Sequence, residues 1–217
     1  MHSTSDLESY VGGFVETLVA HDLQAAQDTV ALLLAQGVDT ESLYTELFAP
    51  SLRQVGELWA QGTISVAEEH VASSLVEQLM AGLYPEMFIA RRASRERVLV
   101  AAPEGERHII GLRMVADMLE GHGFHGIFLG ADTPRAEFPK AVRRYAPHLV
   151  VLAAYTAQSV AELAAAVGLL LELAPRLSIV VGGASGAIHG VVDEHEQIAI
   201  VENIADVRPV VEQFAQR

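Results

Sequence analysis

The chain has 217 residues, and 51% of them are hydrophobic. It contains no cysteine, which excludes disulfides, thiolate metal sites and a cysteine nucleophile. No apolar run is long enough to cross a bilayer, so we expect no membrane contact. Its net charge of −14 disfavours direct nucleic-acid binding, because phosphate contacts need a basic surface. The first ten residues lack the basic and apolar segments of a secretory signal, so a cytoplasmic location is expected.

The first part of the chain, residues 6–93, carries helical patterns throughout. Asp39 and Thr40 are typical of a helix N-terminus, and Pro50 is expected to bend the helix that follows them. Apolar residues recur at helical spacing in four segments, which are residues 6–22, 23–37, 39–62 and 65–88. Four amphipathic helices with short connections predict a four-helix bundle.

The second part, residues 97–217, changes to short aliphatic runs separated by helical patterns. Runs without polar alternation are typical of strands buried on both faces of a parallel sheet. Five runs read as strands, the last of them weaker than the others: 97–103, 125–131, 148–156, 177–184 and 197–201. The order predicts an α/β fold in which the bundle precedes a Rossmann-like, doubly wound parallel sheet.

Ligands of doubly wound sheets bind beyond the carboxyl ends of the strands. The loop after the first strand contains His108, and imidazole is the commonest metal-ligating side chain; Glu106 stands two residues earlier and could orient it. No second and third ligand with zinc-like spacing accompanies His108, which suits a metal whose other positions are filled by a macrocycle. The alternative is an ordinary surface histidine.

A glycine-rich segment, residues 182–190, follows the fourth strand. Its glycines either let the backbone approach a ligand closely or form a tight turn with positive φ. The chain has no Walker A lysine, and no G-x-G-x-x-G follows the first strand, so an ATP or NAD site of the ordinary kind is disfavoured.

Residues 106–111 read E-R-H-I-I-G and resemble the Asp-x-His-x-x-Gly signature of cobalamin-binding domains, with Glu in place of Asp. The segment LGADTP at 129–134 and the glycine pair at 182–183 fall where that family has its matching loops, and a helical bundle before the sheet is the family's arrangement. The resemblance implies that His108 is the lower cobalt ligand, that Glu106 supports it and that Gly111 lets the corrin ring approach.

The chain departs from this family pattern at the end of the third strand. The family often has a serine there that contacts the nucleotide tail of the cofactor, whereas this chain has Ala153 and Ala154. Thr156 or the backbone is therefore expected to replace that contact.

Trp59, nine intervening residues and then Glu69-His70 resemble the W-x9-E-H motif of CarH-type adenosylcobalamin photoreceptors. In that family the bundle tryptophan and glutamate enclose the adenosyl group, light breaks the cobalt–carbon bond, and the bundle histidine can move onto cobalt. The resemblance implies a light-responsive sensor rather than an enzyme, with His70 as the candidate upper ligand. The alternative is a tryptophan in the core and a solvated helix face at Glu69-His70.

Several alternatives stay open within this resemblance. Relatives called photocobilins also hold a bilin; without cysteine a thioether-linked bilin is excluded, but non-covalent biliverdin is not. CarH-type regulators carry an N-terminal winged-helix domain, and no such domain is expected before the bundle in this sequence. We therefore expect either an excised sensory region or a stand-alone sensor, which would signal through a homo-oligomer or a protein partner. The rival functions are a corrinoid carrier for methyl transfer, disfavoured by Trp59 and His70, and the cobalamin subunit of a mutase, whose barrel is missing.

The expected cofactor contacts fall on two surfaces, the bundle face around Trp59 and the loops at the carboxyl ends of the strands. The expected cobalt ligands are His108 below the corrin ring and His70 above it after photolysis. The full set of expected contacts is Trp59, Val66, Glu69, His70, Glu106, His108, Ile109, Gly111, Leu112, Gly130, Ala131, Asp132, Thr133, Ala153, Tyr155, Thr156, Gly182, Gly183 and Ala184.

Overall fold

The computed structural model describes residues 7–85, 96–183, 185–190, 192 and 195–216. These residues fall into two compact units, a helical one and an α/β one. The predicted unit ends at residues 6, 86–93 and 217 lie outside the described residues, as does Ala184. In the described part of the chain, no helix combines the length and the apolarity needed to cross a bilayer.

The helical unit consists of four helical rods, as the apolar spacing predicts. Side chains cap three of them at the N-terminus: Asp22 accepts a hydrogen bond from Ala25 N–H, Asp39 accepts one from Ser42 N–H, and Ser65 forms a capping box with Glu68. The elements are α1 (Glu8–Val19), α2 (Leu23–Ala35), α3 (Thr40–Ser42), a π-helical segment (Leu43–Phe48), α4 (Ala49–Ala60) and α5 (Val66–Leu83).

The third rod differs in one respect from the single bent helix predicted for residues 39–62. It contains the π-helical segment directly before Pro50, where Ala49 N–H donates to the carbonyl of Tyr44, five residues back. Proline has no N–H to donate, so an α-helical ladder is interrupted at this point in any case. The sequence locates the irregularity correctly but does not reveal its form.

The core of the helical unit is aromatic where the π-helical segment faces α1. The rings of Phe14 and Phe48 stack with centroids 5.6 Å apart, and Tyr44 packs against Phe48 at 5.9 Å. All three side chains are buried, and the Tyr44 hydroxyl donates to the Met80 carbonyl of α5 at 3.5 Å. The irregular turn therefore places two large rings in the core.

The α/β unit is a five-stranded, fully parallel sheet with the order β2-β1-β3-β4-β5, which confirms the predicted doubly wound fold. Helices cover both faces and form two separate hydrophobic cores. The elements are β1 (Arg97–Pro103), α6 (Ile110–Gly121), β2 (His125–Thr133), α7 (Phe138–Tyr145), β3 (Leu149–Ala154), α8 (Ala157–Leu173), β4 (Ser178–Gly183), α9 (Ser185–Ile188), β5 (Ile198–Ile200) and α10 (Ile204–Ala215).

This strand order places a topological switch point between β1 and β3. Connections from neighbouring strands leave in opposite directions at such a point, and a crevice opens beyond their carboxyl ends. The loop of residues 104–109 after β1 and the residues that follow β3 therefore lie side by side. This crevice contains the residues that the sequence singled out.

Candidate functional site

The loop between β1 and α6 is held in one conformation by the end of β2. It turns at Gly105, which has a φ of +80°, and the Gly105 N–H donates to the Asp132 carboxylate at 2.7 Å. Asp132 itself has a φ of +51°, and its own N–H donates to the Glu106 carbonyl at 2.9 Å. Asp132, an expected cofactor contact, therefore also braces the backbone on either side of Glu106.

Glu106 is completely buried, and each of its two carboxylate oxygens accepts two hydrogen bonds. Oε1 accepts from the His108 N–H at 2.8 Å and from the His108 ring at 2.6 Å. Oε2 accepts from the Tyr155 N–H at 2.6 Å and from the Ser159 hydroxyl at 2.7 Å. The carboxylate thus joins the loop after β1 to the start of α8 after β3.

The surroundings of Glu106 favour its ionised form. Burial alone raises the pKa of this carboxyl, but the hydrogen bonds from the His108 N–H, the Ser159 hydroxyl, the Tyr155 N–H and the His108 ring outweigh burial. Together they hold the pKa of Glu106 below its ordinary value of 4.5. A buried negative charge therefore stands directly behind the His108 ring at neutral pH.

Replacing Glu106 with glutamine should destabilise the fold at neutral pH by about 1–3 kcal/mol, because the amide group presents a donor where the site supplies only donors. The folded-state pKa is lowered, so the carboxylate stabilises the fold fully above its ordinary value of 4.5 and loses this contribution as the pH falls through the lower folded value. Urea unfolding at neutral and acidic pH should show the difference between wild type and variant shrink in acid. Glu104→Gln, an exposed change in the same loop, is the control, and a difference that grew in acid would contradict the assignment.

His108 is oriented by Glu106 and open to solvent on its other side. The contact between Nδ1 and the ionised Oε1 assigns a proton to Nδ1, so that in the neutral imidazole the lone pair is on Nε2. The side chain is 67% exposed, and within the described residues Nε2 has no protein partner. An imidazole fixed at one nitrogen and free at the other fits a single axial bond to a metal, as in a cobalt corrinoid.

Ser159 is a member of this site that the sequence analysis missed. Its side chain is fully buried, donates to Glu106 and forms a capping box with Thr156 at the start of α8. Nothing near residue 106 signals this partner, which lies 53 residues further along the chain. The pattern Thr156-x-x-Ser159 directly after β3, the strand beside β1, is the signal that could have found it.

The other expected contacts of the α/β unit differ in accessibility. Ile109 and Gly111, at the start of α6, and Gly130 are half-buried, while Ala131, Tyr155 and Thr156 are exposed. The structure places the side chains of Leu112 and Ala153 in the hydrophobic core and buries Thr133. Leu112, Ala153 and Thr133 therefore support the loops from the interior of the protein and present little side-chain surface to a ligand.

The two glycines at the end of β4 have different reasons to be glycine. Gly183 has a φ of +115°, and a Cβ there would overlap the carbonyl oxygen of Ala154 on the neighbouring strand. Gly182 has an ordinary φ, and a Cβ there would lie 3.4 Å from a methyl group of Val201. Of the two alternatives for this segment, positive φ applies to Gly183, and the close approach of the Ala154 backbone is a further reason for glycine that involves no ligand.

The four expected contacts of the helical unit lie on α4 and α5. Trp59, in the last turn of α4, is 49% exposed and so is not packed in the core, whereas the exposed His70 side chain agrees with the solvated helix face of the alternative. Val66 is 51% exposed at the start of α5. The Glu69 carboxylate accepts from the Ser73 hydroxyl at 2.8 Å and lies 3.5 Å from His70 Nε2, whose side chain is 73% exposed.

The helical unit and the α/β unit each match a family model. Residues 12–84 match one B12 binding domain model, and residues 96–202 match a second model of the same description. The structure of the monomethylamine corrinoid protein of Methanosarcina barkeri covers 93% of this chain and 96% of its own, with a TM-score of 0.78 and 21% sequence identity. This likeness shows a shared fold.

Two groups of curated relatives match the sequence. The HTH-type transcriptional repressor CarH of Myxococcus xanthus is 30% identical over 86% of this chain, which spans 62% of that repressor's length. The trimethylamine corrinoid protein 1 of Methanosarcina mazei is 27% identical over 68% of this chain and 69% of its own length. One B12 binding model matches each unit, and both the repressor and the corrinoid protein are similar to the chain in sequence. The chain therefore belongs to the cobalamin-binding domain family.

Proposed function

We propose that the chain is a light-responsive cobalamin sensor that binds adenosylcobalamin with His108 as the lower axial ligand. The single observation that supports the cofactor role most strongly is the buried Glu106 carboxylate, 2.6 Å from His108 Nδ1, on an imidazole whose side chain is 67% exposed. Adenosylcobalamin, when bound, supplies a cobalt–carbon bond that visible light can break. In this proposal, the residues of the chain bind the cofactor, orient it and shield it.

The loop residues have separate tasks in this proposal. His108 would bind the metal through Nε2, and Glu106, which contacts Nδ1, would stabilise the tautomer that makes this possible. Gly111, which has no side chain, would leave space at the start of α6 for the corrin ring to approach. The nearest atom to a Cβ at Gly111 would be the Tyr155 hydroxyl oxygen at 3.6 Å, an ordinary van der Waals contact, so packing within the protein does not require glycine there, which agrees with the proposed ligand contact.

The residues on the helical unit carry the light-sensing part of the proposal. Trp59, Glu69 and His70 have the spacing of the CarH-type motif, and Trp59 exposes half of a large apolar side chain. We propose that Trp59 and Glu69 would shield the adenosyl group and that His70 would be available to bind the metal after the adenosyl group has left. A gained axial bond and lost adenosyl contacts would then select a second arrangement of the protein, which is a ligand-dependent switch.

The corrinoid carrier is the second candidate function. It is favoured by the 27% identity to the trimethylamine corrinoid protein of Methanosarcina mazei. A carrier and a sensor both need the His108 site, so the residues of the helical unit have to discriminate between them. A carrier leaves the upper face open to partner enzymes, which gives it no use for an axial histidine on that side.

The test is an absorption spectrum of the purified protein with adenosylcobalamin, in darkness and after green light. We expect illumination to produce a stable species with two axial histidines, and a further red band after addition of biliverdin if a bilin also binds. Binding without a protein-specific photoproduct, combined with acceptance of a methyl group from a methyltransferase, would replace the sensor by the carrier.

Replacement of His70 by alanine should leave dark binding of adenosylcobalamin nearly unchanged, because the proposal assigns dark binding to His108, which Glu106 orients together with Tyr155 and Ser159. The photoproduct should decay roughly 10-fold faster or more, the smallest loss usual when a metal site loses a supporting group. His21→Asn is the control, since it removes another exposed histidine of the helical unit and asparagine tolerates its φ of +54°. Equal photoproduct lifetimes would remove His70 from the mechanism.

A further inference from the structure

Tyr155 contacts both members of the Glu106–His108 pair through different parts of the residue. Its backbone N–H donates to Glu106 Oε2 at 2.6 Å. Its ring meets the His108 imidazole in a T-shaped arrangement, with centroids 5.8 Å apart and the ring planes at 68°. One residue at the end of β3 therefore fixes the carboxylate with its main chain and touches the histidine with its side chain.

The Tyr155 side chain is only partly buried at this position. The residue is 48% exposed, and its hydroxyl oxygen extends over Gly111, at the start of α6. Packing in the hydrophobic core therefore does not account for the position of the ring. The ring instead spans the crevice from His108 to α6, at the point where β1 and β3 diverge.

The hydrogen bond between Glu106 and Nδ1 does not by itself fix the His108 ring. A single contact at one ring atom allows the imidazole to rock about the Nδ1···Oε1 line, and this rocking changes the direction of the Nε2 lone pair. A second contact at the edge of the ring restricts this rocking, and edge-to-face aromatic pairs have a preferred geometry of the kind observed here. A lone pair aimed at a metal has to be held within small angular limits.

We infer that Tyr155 is a positioning residue whose ring holds the His108 imidazole in the orientation for axial ligation. This inference rests on the proposed function of His108, but the ring contact is a property of the protein without cofactor. The phenol hydroxyl is not needed for it, whereas the aromatic ring is. The backbone N–H bond to Glu106 is independent of the side chain, so side-chain variants isolate the contribution of the ring.

The test compares Tyr155→Phe, Tyr155→Leu and Tyr155→Ala, with Tyr145→Ala as the control. Tyr145 is 42% exposed on α7, so its loss removes a similar exposed ring elsewhere in the same unit. The first measurement uses protein without cofactor and NMR relaxation of the His108 ring C–H groups. Order parameters should stay near the rigid range in wild type, Tyr155→Phe and Tyr145→Ala, and fall below about 0.6 in Tyr155→Leu and Tyr155→Ala.

The second measurement is the affinity for hydroxocobalamin, followed by the absorption bands that report axial histidine. Tyr155→Ala should bind between about twofold and about tenfold more weakly than wild type, the range of an edge-to-face pair, and Tyr155→Phe should bind equally well. Unchanged ring order in both Tyr155→Leu and Tyr155→Ala would overturn the inference, and so would a loss in Tyr155→Phe equal to that in Tyr155→Ala. If wild type fails to bind hydroxocobalamin, the proposed function fails, while the ring-order measurement still decides the role of Tyr155.

Discussion

Replacing His108 with alanine should abolish axial histidine ligation and weaken cobalamin binding by more than the 10- to 100-fold typical for loss of an outer-shell partner of a metal ligand. The variant should fold normally, because 67% of the side chain is exposed and the His108 N–H still donates to Glu106. The direct measurement is the electron paramagnetic resonance spectrum of the cobalt(II) form. The wild-type spectrum should show splitting by one axial nitrogen, that of His108. The spectrum of the variant should lack the splitting that this histidine causes.

His125→Ala is a matched control for this experiment. His125 is an exposed histidine at the start of β2, and therefore at the opposite end of the sheet from the carboxyl ends of the strands. It should bind cobalamin with wild-type affinity and spectrum. An unchanged nitrogen splitting in His108→Ala, or an equal loss in both variants, would show that His108 is not the ligand.

Much of the α/β unit follows from sequence for a simple physical reason. Strands β1, β3 and β4 are covered on both faces by helices, so nearly every position has to be apolar, and the aliphatic runs mark the strand bounds to within one or two residues. The position of His108 beyond a strand end follows from the same pattern. The helical pattern around Pro50 was less informative, because a π turn and an α turn bury nearly the same residues.

The supports of His108 could not be predicted in the same way. Glu106 lies close in sequence, but its other partners, Tyr155 and Ser159, come from the far side of a crossover connection. Their proximity depends on β1 and β3 being neighbours, which is a property of strand order and not of local pattern. The exposure of Trp59 is likewise a result of tertiary packing, since a tryptophan at the end of an amphipathic helix is compatible with either core or surface.

Replacing Gly183 with alanine should destabilise the α/β unit by about 2–6 kcal/mol, from backbone strain and overpacking together. Gly183 pairs with Ala154 across β3 and β4, and a Cβ would overlap the Ala154 carbonyl oxygen and lie 2.8 Å from its carbonyl carbon. The clash is with backbone inside a sheet, which cannot move aside as a flexible side chain would. A loss of this size is comparable to the whole stability of many domains.

Gly182→Ala separates this steric effect from a general need for glycine in the segment. A Cβ at position 182 makes an ordinary contact at 3.4 Å, and the backbone φ suits any residue, so the loss should stay below about 1.5 kcal/mol. Thermal unfolding followed by circular dichroism measures both variants, with roughly 2–4 °C expected per kcal/mol in a chain of this size. If Gly183→Ala instead unfolds like wild type but no longer binds cobalamin, the glycine is there for the cofactor. A parallel loss of stability and binding means that it is there because β3 and β4 pack too closely for a side chain.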